Sequence, residues 1–390
     1  MPSLHGECPA SPAGRGHSSA RDIGTLFRRH GDAFRKSHAL GAMERRALRD
    51  ISVCRTGALG GRRDVCANCG CEREVWNSCR NRHCPKCQHQ RAQQWLEKQQ
   101  DLRLTVPYFL LTFTLPEGLR ALARQHQKLI YQLLFRASAA ATQQLAEDPR
   151  YVGGKIGMVG VMHTWGRNLS YHPHIHYLVP AGGWTEDGEW VAARQNFLVP
   201  VKALGKLLRA KFCSALRKQN CFDEVPPSVW QQAWVVHCQP IGDGEAALKY
   251  LAPYIFRVAI SNNRILKLEN DQVTFRYQDT QTGKTKYCTL SALEFMRRFL
   301  QHVLPQGFVK VRYYGFFSAG NRKLLAQIRQ QFAEPLLPPD EYTRPESDEP
   351  TYQDSVLCPH CGAVMQLFKT IHPTGRAPPK QTLPTESPQS

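Results

Sequence analysis

The chain has 390 residues, 42% of them apolar, which is enough for two or three domains with proper cores, and it carries a formal charge of +19 with a pI near 9.5. So strong a positive balance is unusual for a metabolic enzyme and points to a polyanionic partner, nucleic acid or an anionic membrane surface. The sequence argues against the membrane: no apolar run approaches the roughly 18 residues a spanning helix needs, and the N-terminus lacks the basic stub and apolar core of a signal peptide, so a cytoplasmic location is expected.

Residues 1–21 are small, polar and rich in Gly and Pro, the composition of a disordered leader. From Asp22 to Ser52 apolar residues recur at helical spacing among Arg and His, predicting two short amphipathic helices that cap the next module, with DNA contact as the other reading. Fourteen cysteines, several in C-x-x-C pairs, read as metal thiolates in a reducing compartment rather than as disulfides. Cys66-x-x-Cys69 and Cys84-Pro-Lys-Cys87 stand 14 residues apart, close to the loop of a four-cysteine zinc ribbon, so these four are the expected ligands of a structural Zn2+. Cys54, Cys71, Cys79 and His83 lie near enough to compete as ligands or to build a second site. Arg80, Arg82, Lys86 and Arg91 add a basic surface suited to phosphates.

A linking helix is expected over 88–103, a buried strand over Pro107 to Leu115, and a long helical stretch over 117–147. Gly157 to Thr164 and Pro173 to Pro180 read as a hairpin, closed by Gly182 and Gly183. Next come a basic amphipathic helix over 203–219, a strand over 229–240, and a helix opened by Gly244. Residues 272–290 form a second hairpin turning near Thr282-Gly283, followed by a helix to His302. Phe308 to Phe317 interleaves basic and aromatic residues, as single-strand nucleic-acid surfaces do, but suits a final core strand equally well. Residues 333–355 carry seven acids against one arginine, a net of −6 that leaves +25 on the rest of the chain. Beyond this acidic, Pro-rich linker, Cys358-Pro-His-Cys361 is half a metal site whose partners are His372, another part of the chain, or a second subunit. The order of strand, long helix and hairpin predicts an α+β fold built on an antiparallel sheet, with domains at 22–103 and 104–320 and a tail of helix, linker and cysteine pair over 321–390.

Two features carry chemistry. In the strand His172-Pro-His-Ile-His176, His174 and His176 face one side while Ile175 faces the other, a metal-binding face. The third ligand is left among His163 on the neighbouring strand, His172, and Glu245 or another residue of its helix, in that order. Tyr250 and Tyr254 are four apart, so a helix would present both on one side, although Pro253 makes that geometry approximate. Joined, they suit single-strand nicking, in which a divalent ion polarises the phosphate and a phenolate attacks it.

At these residues the chain resembles the two-tyrosine HUH transposases of the insertion sequence 91 family, named for a histidine, hydrophobic, histidine motif. Further matching stretches are Cys54 to Gly61, Asn77 to Cys87, His163-Thr-Trp-Gly166, Tyr250 to Ser261, and His302-Val-Leu-Pro305 through Arg312-Tyr-Tyr-Gly315, in the family's order over roughly residues 23–320. The resemblance implies an N-terminal helical and zinc-binding module, an HUH endonuclease core with flanking helices, a catalytic Mg2+ or Mn2+, and rolling-circle transfer of single-stranded DNA between transposon ends and target. By motif match Tyr250 and Tyr254 are the nucleophiles, His174 and His176 the metal ligands, and Arg257, Asn262 and Arg264 candidates for positioning DNA. Competing readings are a rolling-circle plasmid initiator or relaxase, and a non-catalytic zinc-ribbon DNA-binding protein.

Overall fold

Three apolar runs bounded by Pro and Gly supply the middle of the molecule. The structure, a computed structural model, describes residues 21–88, 104–242, 258–279, 282–332 and 356–374. Its central sheet has five strands in the order β12-β4-β5-β3-β8, every pairing antiparallel: β3 (Tyr108–Thr114), β4 (Met158–Trp165), β5 (Tyr171–Pro180), β8 (Val236–Pro240) and β12 (Val311–Tyr314). The fold is therefore the expected α+β class with a central antiparallel sheet. The predicted strands at 107–115, 157–164 and 173–180 are β3, β4 and β5.

Strand alternation divides the sheet between two covers. Phe109, Leu111 and Phe113 of β3, Met158 and Met162 of β4, and Ile175, Tyr177 and Val179 of β5 face α4 (Gln127–Ala146) and α5 (Val201–Arg217) in the main core. α4 follows the shorter α3 (Arg120–Gln125), from which the non-helical His126 (φ −121°, ψ 50°) separates it. The opposite face carries Tyr108, Val159, Val161 and Leu178, covered at one end by Phe316, Phe317 and two side chains of a late helix, Leu325 and Ile328. Gly160 sits where a Cβ would come within 2.5 Å of the Tyr177 ring, so the missing side chain lets that ring cross the sheet.

Within Phe308 to Phe317 the structure places β12, a half-buried strand at the edge of the sheet. Arg312 stacks over Phe135 at 4.3 Å, its stem used in packing. The chain turns away at Gly315, whose φ of +59° only glycine adopts at ease, and where an added Cβ would lie 1.7 Å from the Ile156 carbonyl oxygen. Gly315→Ala is expected to cost roughly 2–4 kcal/mol, read as a lowered urea midpoint at unchanged slope.

Two further pieces flank the sheet. α1 (Ile23–Ser37) and α2 (Ala42–Ser52) are the predicted amphipathic pair. Asp22 caps α1, accepting from the Thr25 N–H at 2.8 Å, and its other carboxylate oxygen pairs with Lys86 Nζ at 2.9 Å. The apolar faces of both helices, Ile23, Phe27, Leu48 and Ile51 among them, pack with α7 (Ala292–Leu300) and with β9 (Ile265–Glu269) and β10 (Gln272–Gln278). Phe27 meets Phe299 edge-on at 5.5 Å. β10 and β11 (Thr285–Ser291) are the predicted second hairpin; β9 extends it.

Two expectations need correction. Residues 229–240 are not one strand: α6 (Ser228–Gln231) is a single helical turn, and only Val236–Pro240 joins the sheet. Trp230 and Trp234 stack at 5.9 Å and the Trp234 indole N–H donates to the Val229 carbonyl, so aromatic packing overrides the β propensity of the run. Gly182 and Gly183 do not simply end β5 but lie in β6 (Gly182–Trp184), paired with β7 (Trp190–Ala192). Residues 1–20 of the leader, the linking helix expected over 88–103 except its first residue, the helix from Gly244, and the acidic linker lie outside the described residues. No helix among the described residues is long and apolar enough to cross a membrane.

Candidate active site and metal centres

Register makes the histidine site. β5 is the middle strand of five, and its even-numbered residues face away from α4 and α5, which puts His174 and His176 on one surface. Across the ladder His163 pairs with His174 and Val161 with His176, so His163 reaches the same surface from β4. One ring nitrogen from each of His163, His174 and His176 can be chosen so that the three lie within 4.8 Å of one another. His163 is thus brought to the two motif histidines, while His172 accepts a hydrogen bond at Nδ1 from the Arg120 guanidinium at 3.2 Å and stands outside the trio. Glu245, the remaining candidate, lies outside the described residues.

The surroundings favour neutral rings. Burial pushes His174 down to about 4, with a partly opposing contribution from its bond to the His172 carbonyl. That bond, 2.7 Å from His174 Nδ1, requires the proton on Nδ1 and leaves the Nε2 lone pair for a ligand. His176 Nδ1 is held 2.9 Å from the Thr112 hydroxyl on β3, directly across the ladder. Sequence reading missed Thr112; its signal was only a hydroxyl on the polar-facing phase of an apolar strand. His163 is 2% exposed and stacks on Trp165 at 4.7 Å. Lys310 Nζ lies over the Trp165 ring at 5.3 Å, and burial, with Arg82 nearby, lowers it to about 7. His302 ties α7 to the hairpin through Thr164 Oγ1 at 3.2 Å and the Leu169 carbonyl at 3.3 Å.

The cysteines group differently from the expected ribbon. Cys84 and Cys87 meet Cys54 and Cys79, while Cys66 and Cys69 meet Cys358 and Cys361. The expected quartet of Cys66, Cys69, Cys84 and Cys87 does not converge, because β1 (Gly61–Cys66) and β2 (Glu72–Trp76) carry the first pair away from the turn that bears the second. In the first group Cys54 lies 3.6 Å from both Cys84 and Cys87, and Cys79 lies 3.7 Å from Cys87. Tetrahedral zinc with bonds of roughly 2.3 Å sets sulfurs about 3.8 Å apart, so the group fits that ion; the distances exceed a disulfide.

Next to this quartet, two basic residues of the expected phosphate-gripping surface have structural work instead. Arg82 donates to the carbonyls of Phe308 at 2.7 Å, Pro305 at 2.7 Å and Leu304 at 3.3 Å, and Lys86 pairs with Asp22. His83 accepts the Leu304 N–H at 3.2 Å, and burial holds it near 3, hence neutral. Asn262 accepts from the Ile23 N–H at 3.3 Å, and Arg264 donates to the carbonyls of Arg276 and Arg167. Tyr250, Tyr254 and Arg257 lie outside the described residues.

Comparison with known proteins bears on what this arrangement serves. Residues 157–324 match the family described as "Putative transposase", and residues 26–115 match the "Transposase zinc-binding domain". Over 392 aligned residues the chain is 39% identical to "Putative transposase y4qJ" of Sinorhizobium fredii (strain NBRC 101917 / NGR234), covering 93% of this chain and 98% of that one. The chain belongs to the insertion sequence 91 family of transposases. It is also 28% identical over 359 residues to the transposase for insertion sequence element IS801 of Pseudomonas savastanoi pv. phaseolicola, covering 84% of this chain and 86% of that relative. No solved structure matches. In this transposase the zinc-binding domain contains the whole of the Cys54, Cys79, Cys84 and Cys87 group, and the histidine trio spans the start of the second matched region. DNA is its partner, which accounts for the charge of +19.

Proposed function

We propose that this transposase has an HUH core and moves DNA as a single strand, cutting and rejoining it through 5′-phosphotyrosine links made by Tyr250 and Tyr254 in rolling-circle transfer. The observation that carries the reading is the convergence of His163, His174 and His176 on one face of the central sheet. Three imidazoles suit one divalent ion; between Mg2+ and Mn2+, nitrogen donors favour Mn2+. Such an ion, when bound, polarises the scissile phosphate and offsets its developing charge.

The chain's own groups supply the covalent chemistry. A tyrosine gives up its phenolic proton and its Oη attacks phosphorus in line, the bond from phosphorus to the 3′-oxygen breaks, and that oxygen takes up a proton as it leaves. Because the new ester conserves the energy of the old one, a DNA 3′-hydroxyl can reverse the step without ATP. A second tyrosine allows one 5′ end to be held while another strand is cut. Tyrosine, with a pKa of about 10, offers little phenolate at neutral pH, so the reading requires the nucleophile beside the ion. Cys54, Cys79, Cys84 and Cys87 hold the structural zinc, and Arg257 is the candidate for positioning DNA, since Asn262 and Arg264 are engaged within the fold.

The test uses single-stranded DNA from the element's ends, labelled at its 3′ terminus, with Mn2+. A covalent protein–DNA adduct is expected from the wild type and none from Tyr250→Phe/Tyr254→Phe; absence of any wild-type adduct contradicts the reading. Thr112→Val keeps the side-chain shape but removes the hydroxyl that fixes His176. It should raise the Mn2+ concentration for half-maximal cutting about 10- to 100-fold, measured by metal titration, while barely moving the melting temperature.

A further inference from the structure

The second cysteine group joins the two ends of the chain. Cys66 Sγ lies 3.5 Å from Cys361 Sγ across 295 residues of sequence, and Cys69 Sγ lies 3.5 Å from Cys358 Sγ across 289. The two contributing turns are copies of one another. In the first, the Cys66 N–H donates to the Cys71 carbonyl and the Gly70 N–H to the Cys66 carbonyl. In the second, the Cys358 N–H donates to the Ala363 carbonyl and the Gly362 N–H to the Cys358 carbonyl. Gly70 and Gly362 both take positive φ, +70° and +74°, which lets each turn fold back after its second cysteine. The backbone N–H groups of Cys71 and Ala363 hydrogen-bond the sulfurs of Cys69 and Cys361, at matching positions of the two turns.

The surrounding sheet has the same split origin. After the second turn, β13 (Met365–Ile371) pairs antiparallel with β1 from Gly61↔Ile371 to Cys66↔Met365, giving a three-stranded sheet in the order β13-β1-β2. Gly60, within a stretch shared with the family, leaves room for this strand: an added Cβ would lie 2.4 Å from the Ile371 carbonyl oxygen. What these elements bury is small. Cys66, Cys71, Cys358 and Met365 form a separate cluster with Val356 and Ala363 at its margin, while Leu367 and Phe368 of β13 remain largely exposed. A core of that size does not hold a remote strand without a covalent or metal staple. Four thiols all within 4.8 Å of one another, two of the pairs at 3.5 Å, suit tetrahedral zinc, and those pairs are too far apart for disulfides.

We propose that Cys66, Cys69, Cys358 and Cys361 bind a second structural zinc, so that a zinc ribbon is assembled from one turn inside the zinc-binding domain and one turn in the C-terminal segment. The matched family regions end at residue 324, so neither contains the second turn. The ion clasps the end of the chain to its beginning, and it does so whether or not the nicking chemistry is as proposed.

Metal analysis of the purified full-length chain tests this. The wild type is expected to hold two zinc ions per chain. Cys66→Ser/Cys69→Ser and Cys358→Ser/Cys361→Ser should each hold one, and the variant with all four replaced should also hold one, since both pairs serve the same ion. One zinc in the wild type, two in the Cys358→Ser/Cys361→Ser variant, or none in the fourfold variant overturns the proposal. A measurement on the unaltered chain guards against variants that do not fold. During chelation, alkylation followed by mass mapping should modify Cys66, Cys69, Cys358 and Cys361 together, after a common lag. Immediate alkylation of Cys358 and Cys361 in the zinc-loaded chain, or a disulfide at either position, overturns it.

Discussion

Replacing His174 and His176 together with glutamine is expected to lower Mn2+-dependent cutting of single-stranded DNA by on the order of 10³-fold or more, with zinc content and DNA binding retained. The size follows from what the pair contributes. His174 is held by the His172 carbonyl with its Nε2 lone pair presented, and His176 is braced by Thr112. Without them, His163 alone cannot hold an ion against water. The two positions alternate with Ile175 and Tyr177, which point to the opposite face and keep the strand in the core, so the substitution should leave the sheet intact. His163→Gln should act in the same direction more weakly, appearing first as a higher Mn2+ requirement. Nicking in the double variant at the wild-type rate and metal concentration would remove the trio from the mechanism.

The second large effect is on stability. Cys84→Ser/Cys87→Ser is expected to unfold the N-terminal module and with it part of the transposase region. Structural zinc contributes apparent binding energies of about 10–16 kcal/mol in small zinc domains, as large as the entire stability of a typical domain. The damage should spread, because Cys54, Cys84 and Cys87 belong to the same buried cluster as Phe27, Phe295 and Phe299. The neighbouring Arg82 also bonds three carbonyls between residues 304 and 308, on the approach to β12. Limited proteolysis should reveal new cleavage in both 21–88 and 258–304, and a chelator should reproduce the pattern in the wild type. A variant with the wild-type melting temperature contradicts the account.

The central sheet was legible because β3 and β4 are largely apolar or β-branched runs and β5 alternates histidines with apolar residues, the runs being stopped by Pro107, Pro116, Gly166 and Pro180. That His174 and His176 share one face was legible from alternation, and the place of His163 beside them from the hairpin. The strand expected over 229–240 failed because Trp230 and Trp234 satisfy strand propensity and aromatic stacking equally, and tertiary packing chose the stack. The cysteine grouping failed for a different reason. Spacing proposes partners that are near in sequence, whereas Cys69 and Cys358 meet across 289 residues through the register of β1 with β13. The importance of Thr112 was invisible, since one hydroxyl on a strand carries no signal until the residue opposite it is known. Arg82 and Lys86 looked like phosphate ligands because a basic residue does not announce whether its partner is DNA, a carbonyl or, as for Lys86, a buried aspartate.

The most direct test of the central claim is mass mapping of the covalent species formed with Mn2+ and single-stranded DNA from the element's end. After nuclease and protease digestion, the account predicts a nucleotide joined through its 5′-phosphate to Tyr250 or Tyr254, with a free 3′-hydroxyl on the released strand. Products bearing a free 5′-phosphate and no protein-linked nucleotide, or a nucleotide attached to any other side chain, would contradict it.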